Sequence, residues 1–238
     1  MLLIWQLVVF VTGAPHYILP GPVPVFHAIV NHSSTLLGHL QTTLTEILLG
    51  ILLGSFLGVT TALIMTLSPL LKRWMLPVLV ISQAIPVFAL APVLVLWFGY
   101  GMASKVAMAV LIIYFPVTSS FYYGMRRTEP QLLELAHIMD GRPMSIMRYI
   151  IIPSALPAFA SGLRVATAVA PIGAVVGEWV GSSAGLGFYM LHANARMQID
   201  VMFAALTVLS AVSLLLYFFI DFVLGKLIFW ENTQGITR

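Results

Sequence analysis

The residues able to do chemistry in this chain are few, and their spacing excludes most of what they could do. The eight acidic residues are scattered from Glu46 to Glu231, with no cluster of His, Asp or Glu at the spacing a catalytic centre needs. The six histidines, His16, His27, His32, His39, His137 and His192, show no pairing at i and i+4, so they do not suggest a metal site. There is no cysteine, hence neither a disulfide framework nor a thiolate centre. Gly225-Lys226 lacks the upstream glycine of a phosphate-binding loop, and no G-x-G-x-x-G run follows a strand. No block of basic residues is interleaved with aromatics, so nucleic acid is not expected as a partner. Glu178 stands apart. It lies near the far end of the run Val165 to Trp179, and an ionisable group inside an apolar segment tends to face a cavity or a partner.

The elements that must hold these residues are dictated by solvent. Hydrophobic residues make up 60% of the 238-residue chain and charged residues 8%, against about a quarter charged in a soluble domain. A surface so poor in charge is matched to lipid, and the chain reads as all-α. A helix needs roughly 20 mainly apolar residues to cross the hydrocarbon core. Ile47 to Leu71, Trp74 to Ser104, Val106 to Met125, Val165 to Trp179 and Val201 to Ile220 read as spans, with Met1 to Thr12 as a short first one. That makes about six spans in a single transmembrane domain covering residues 1–238. The N-terminal run has no Lys or Arg ahead of it and no small-residue cleavage site, so it reads as a retained helix rather than a signal peptide. Pro15, Pro20, Pro22 and Pro24 predict an extended connection, with a short helix from about Phe26.

Lysine and arginine accumulate in cytoplasmic loops. With the N-terminus inside, the inner segments hold Lys72, Arg73, Arg126, Arg127, Arg142, Arg148, Arg164, Lys226 and Arg238, and the outer ones only Lys105 and Arg196. Both termini are therefore expected in the cytoplasm. Glu46 reads as a charge at the N-terminal end of the second span, favoured by the helix dipole, and Arg164 and Asp221 as anchors near cytoplasmic span ends. Gly50, Gly54 and Gly58 lie four apart, as do Gly173, Gly177, Gly181 and Gly185, and such faces let helix backbones approach closely within a chain or between copies. Pro86, Pro92, Pro116 and Pro171 fall inside spans, where each can bend the helix and shape a cavity.

The one sizeable hydrophilic segment on the inner side is residues 126–157. Thr128 is expected to cap a helix with Glu129 and Pro130 in its first turn, Gly141 to cap its C-terminus, and a second helix to run from about Pro143 and stop before Pro153. Two short helices joined at a glycine make a rigid bracket suited to docking another protein. This segment resembles the cytoplasmic signature of ABC importer permeases: E-A-A, three residues, G, nine residues, I-x-L-P. The chain supplies Glu134-Leu135-Ala136, Gly141 and Ile151-Ile152-Pro153, with Leu135 for the central alanine and a Gly-to-Pro distance that reads one residue short. Tyr17 to Pro24, Gln83 to Pro92 with Leu96 to Gly101, and Gly177-Glu178 with Ser182 to Gly187 are similar, in order, to the nitrate, sulfonate and taurine branch of that family.

The resemblance implies a type I importer permease fold in a bacterial inner membrane, a homodimer, two ATPase subunits on the cytoplasmic face and a periplasmic or lipoprotein substrate-binding protein outside. It implies that ATP and magnesium are bound by the ATPase partner and that this chain holds no cofactor. Glu134, Ala136, His137, Asp140, Gly141, Arg142 and Pro153 would then form the coupling surface, and Pro86, Pro92, Pro171 and Glu178 the translocation path. Glu178 would bond cargo or close a gate there; as an alternative it is bonded to backbone or to Trp179. Gly177 to Gly187 and Leu191 to Arg196 look most like permeases for thiamine-precursor pyrimidines, with sulfonate or taurine as the second choice. A secondary carrier would show internal repeats and ion-coupling charges at the membrane midplane, which this sequence lacks.

Overall fold

The computed structural model describes residues 2–13 and 15–230, and within them the chain forms α-helices and no strand. Helix α1 (Leu2–Thr12) has 11 residues, about 16 Å, which is short for a bilayer core of roughly 30 Å. Helix α2 (Pro22–Asn31) starts at Pro22, earlier than expected, because a proline at the first helical position loses no bond. Helix α3 (Ser33–Leu67) runs for 35 residues and begins well before Ile47. Its polar first turns hide it from a search for apolar spans, yet they contain no proline to stop a helix. Glu46 therefore sits in mid-helix, and the dipole account of it is wrong.

Helices α4 (Pro69–Ala84) and α5 (Val87–Phe98) meet at a bend of 105°, so the expected third span is broken. The break falls where sequence demands it: Ile85 precedes Pro86 and takes an extended conformation, φ −81° and ψ 122°, because proline bars its predecessor from the helical region. Helix α6 (Met102–Arg126) accommodates Pro116. Helix α7 (Pro130–Ile138) is followed by one turn, α8 (Pro143–Ile146), a π-helical turn over Met147–Ile151, and α9 (Ile152–Gly181). The expected stop at Pro153 does not occur. Pro143–Gly181 continues as one 39-residue segment, the wide π turn making room where the Pro153 ring and missing N–H would disturb an α-helix. Helices α10 (Leu186–Ala195) and α11 (Ile199–Leu227) are the last among the described residues. Among the described residues four segments are long and apolar enough to span, five if the bent pair counts as one. Glu231 and Arg238 lie outside the described residues.

The chain divides into two compact units, residues 1–50, 87–109 and 171–215 in the first, and 51–86, 110–170 and 216–238 in the second. In the first, Val25 and Ala28 of α2, Leu186 and Met190 of α10, and Val201 and Ala205 of α11 pack together. In the second, Ala62 and Met65 of α3, Phe121 and Met125 of α6, and Ala155 of α9 do so. Glycine decides how closely these helices lie. A β-carbon at Gly54 would stand 2.8 Å from Ile113 Cγ2, and one at Gly162 2.6 Å from the Pro116 carbonyl oxygen, so α6 packs against α3 and α9 nearly backbone to backbone. In the first unit a β-carbon at Gly177 would stand 3.0 Å from Lys105 Cα, and one at Gly181 2.6 Å from Val95 Cγ2. Gly50, Gly58 and Gly173 are likewise buried. Leu52, Phe56, Leu96, Leu215 and Phe218 are more than half exposed, the face such helices present to lipid.

Candidate functional site: a protruding bracket and a buried charge cluster

The bracket is built by α7, the turn after it, and α8. Pro130 opens α7, with Glu129 as an N-cap that makes no side-chain bond. Thr128 does not cap this helix: its Oγ1 donates to the Met125 carbonyl at 2.9 Å and closes α6 instead. That carbonyl is an orphan at a helix end, three residues away, while Pro130 leaves the new helix one donor fewer to satisfy. The C-terminus of α7 is a Schellman turn. Gly141 N–H donates to the Ala136 carbonyl at 2.9 Å and Asp140 N–H to the His137 carbonyl at 3.0 Å.

The left-handed residue of that turn is Asp140, at φ +55°, and not Gly141. Counted forward from Glu134, or back from Pro153, the family glycine falls on residue 140, and Ile150-Ile151-Ile152-Pro153 completes the signature at its full spacing. The one-residue shortfall read between Gly141 and Pro153 is thus removed. Aspartate is among the few side chains that take this conformation. Gly141 is needed for a different reason, since a β-carbon there would lie 2.7 Å from the Ala136 carbonyl oxygen. Arg142 then caps α8, its carbonyl accepting from Ser145 N–H at 2.9 Å and Ile146 N–H at 3.0 Å.

With Ala136 and Ile146 buried, the bracket turns Glu134, His137 and Arg142 outward. Leu135, Ile138, Met139 and Tyr149 are each more than half exposed. A groove of about 310 Å³ runs between the two arms, lined by Leu132, Leu135, Ala136, Met139, Ile146 and Tyr149 among others. Pro153 is half-buried beyond its far end.

The second assembly lies in the first unit, around the segment 182–188 that joins α9 to α10. Glu178 is 1% exposed, and its Oε1 accepts from Thr43 Oγ1 at 2.6 Å. Its Oε2 accepts from Gly187 N–H at 2.5 Å and Phe188 N–H at 3.3 Å. Thr43 Oγ1 also accepts from Leu186 N–H at 2.8 Å. His39, one turn earlier on α3, accepts from Gly185 N–H at 3.0 Å through Nδ1, so that nitrogen carries no proton. Trp179 Nε1 donates to the Gly187 carbonyl at 3.0 Å.

Lys105, expected in an outer loop, is instead buried in α6, with Nζ 2.5 Å from Glu46 Oε1 and 3.0 Å from Ser182 Oγ. The Glu46 contact is an ion pair by distance, since no donor is aligned on either Glu46 oxygen. Gly185, at φ +117°, has no alternative residue: a β-carbon there would overlap the Glu178 carboxyl. Consecutive backbone N–H groups thus meet a carboxyl or a side-chain acceptor, and three helices hold one loop.

Of the path candidates, Pro86 marks the bend, Pro92 lies inside α5, and Pro171 lines an apolar cleft of about 620 Å³ with Phe88, Trp179 and Asn194. Glu178 lines neither that cleft nor the bracket groove and is brought together with Glu46 and Lys105. That pairing escaped sequence reasoning, because Glu46 and Lys105 each had a bland local explanation. Likewise Arg164 and Asp221, taken as separate anchors, bond at 2.6 Å through Nε.

Residues 47–228 match the family described as the binding-protein-dependent transport system inner membrane component. The chain is 56% identical over 228 residues to a probable ABC transporter permease protein of Haemophilus influenzae, covering 96% of this chain and 93% of that one. It is 37% identical to the formylaminopyrimidine transport permease ThiX of Halalkalibacterium halodurans, over 98% and 94% of the two. The inward-facing MetNI methionine ABC transporter superposes with a TM-score of 0.69 at 18% identity, over 85% of this chain and 97% of that one, a likeness of fold. The chain belongs to the binding-protein-dependent transport inner-membrane family, as a non-catalytic, multi-pass ABC importer permease subunit.

Proposed function

We propose that the chain moves a thiamine-precursor pyrimidine or a closely similar heterocycle into the cell, driven by two ATPase subunits that seat on the 126–157 bracket. The observation that carries the mechanism is the Schellman-capped bracket with its exposed apolar groove. It is stiff because its backbone bonds itself, and it is sticky because Leu135, Ile138, Met139 and Tyr149 find no cover among the described residues. A stiff protrusion continuous with α9 transmits displacement, where a flexible loop would absorb it. ATP and magnesium belong to the ATPase partner, and the bracket supplies contact alone. A second copy of the chain and an external binding protein complete the importer. The excess of lysine and arginine on the bracket side supports cytoplasmic termini.

The choice of cargo is supported by the formylaminopyrimidine permease, to which this chain is 37% identical. Segment 182–188 is assigned a positioning role, in which Glu178 fixes the loop from α9 to α10 and leaves cargo contacts to other residues. Reconstitution in liposomes provides the test. The permease alone is expected to move nothing, and the permease with its ATPase and binding protein to take up formylaminopyrimidine on addition of ATP. Gradient-driven flux through the permease alone would refute the coupling mechanism, and ATP-driven uptake of taurine but not the pyrimidine would refute the cargo.

A further inference from the structure

In the second unit, α6 and α9 border a cleft of about 580 Å³ lined by Phe115, Ser119, Ser120, Tyr123, Arg127 and Ser161, with Gly124, Pro157 and Ala158. It lies in two of the long apolar segments, where a wall of hydroxyls is unexpected. Most hydroxyls elsewhere in the spans satisfy themselves, the buried Ser55 hydroxyl of α3 being an exception. Thr60, Thr66, Thr167, Thr207, Ser210 and Ser213 each donate to the carbonyl four residues back, at 2.7–2.8 Å, the ordinary way a helix hides a hydroxyl from lipid.

The serines of the cleft behave differently. Ser119 makes only a long bond of 3.4 Å to the Pro116 carbonyl. Ser120, Ser161, Tyr123 and Arg127 donate no side-chain hydrogen bond among the described residues, and Arg127 forms no ion pair there. Unsatisfied polar groups facing hydrocarbon cost several kcal/mol each, so this wall is suited to water or a polar solute. The volume lies in the range of small-molecule sites. Gly124 and Gly162 keep α6 and α9 in close contact, so the walls are rigid backbone and the cleft is not a gap awaiting repacking. Arg127 is its one charged lining residue.

We infer that this serine-lined cleft is a water-filled station for the transported solute on its way through the permease, and that Arg127 makes it favour neutral or anionic solutes rich in hydrogen-bond acceptors over cations. The inference rests on the importer reading but is tested separately from it. Because the chain has no cysteine, single substitutions report directly.

Ser119→Cys, Ser120→Cys, Ser161→Cys and the lipid-facing control Phe218→Cys are made in the full chain and assayed in inside-out membrane vesicles without nucleotide. Negatively and positively charged methanethiosulfonates are the probes. The three cleft thiols are expected to react on the order of a hundredfold faster than the control, since only a hydrated thiol ionises. The anionic reagent is expected to outpace the cationic one by roughly fivefold, and Arg127→Gln to abolish that preference. Slow labelling at all three positions overturns the proposal, and if oxidation also cross-links two copies through them the cleft is a dimer contact. Fast labelling without anion preference overturns the assignment of solute charge. Failure of ATP-driven release of solute enclosed with the binding protein in the lumen of such vesicles strikes the importer reading and leaves the labelling result standing.

Discussion

Around segment 182–188 a buried carboxyl, a threonine, a histidine and a lysine converge on one loop, whereas in the 126–157 bracket the backbone caps itself and the side chains are turned outward. Both regions are turns between helices, and both need a residue at positive φ, Gly185 in one and Asp140 in the other. The difference lies in what must stay fixed. The buried loop is held from outside by side chains of α3, α6 and α9, so each of those residues is part of its geometry. The bracket is held from within, so its side chains are free to meet another protein. Substitutions should therefore act on folding in the first region and on coupling in the second.

The largest expected effect is in the buried cluster. Lys105→Met leaves the Glu46 carboxyl without its partner in a site that is 0% exposed, which should cost about 3–5 kcal/mol. The melting temperature in detergent should drop steeply, and the double variant Lys105→Met with Glu46→Leu should recover much of it. An unchanged melting temperature for the single variant would break the contrast. Gly185→Ala comes next, because it combines a left-handed backbone with the Glu178 overlap; a loss of roughly 2–3 kcal/mol is expected in the same assay.

Glu178→Gln replaces one acceptor oxygen by a donor, so at least one of the Thr43, Gly187 and Phe188 bonds is lost, at about 1–3 kcal/mol. Uptake in reconstituted transporter should fall with stability. Normal uptake at normal expression would remove Glu178 from the mechanism. Gly141→Leu should barely move the melting temperature of the membrane bundle but should separate ATP hydrolysis from uptake, since the 2.7 Å approach to the Ala136 carbonyl oxygen forces the bracket to change shape. The smallest effect is in the opposite direction: Asp140→Gly relieves a left-handed aspartate and should stabilise the bracket by about 1 kcal/mol, read as slower hydrogen exchange at Gly141 N–H with coupling intact.

Much of the bracket was legible because its rules are local. Proline at the starts of α7 and α8 and the turn near residue 141 follow from chain chemistry within a few residues, whereas Ala136, expected on the coupling surface, is buried instead. What was misjudged there was local too: Thr128 had two helix ends within reach and bonded the nearer carbonyl, and the left-handed position fell one residue before the glycine. At Pro153, a π turn absorbed a signal that normally ends a helix. The cluster was less legible. Glu178 stood out as an ionisable residue in an apolar run, but its side-chain partner Thr43 lies 135 residues away in the sequence, on a helix whose register no single-chain pattern records.

Composition alone fixed the solvent of this protein, because 8% charge cannot wet a globule, and the glycine and proline spacing fixed where helices could touch or bend. Only the tertiary structure decided which charges meet. Burial makes an unpaired charge too costly to tolerate, so Glu46, Lys105 and Glu178 had to find partners, but which partners depends on helix register and on the close contacts that Gly177, Gly181 and Gly185 permit. Those are distances between separate segments, and a sequence read in order contains none of them.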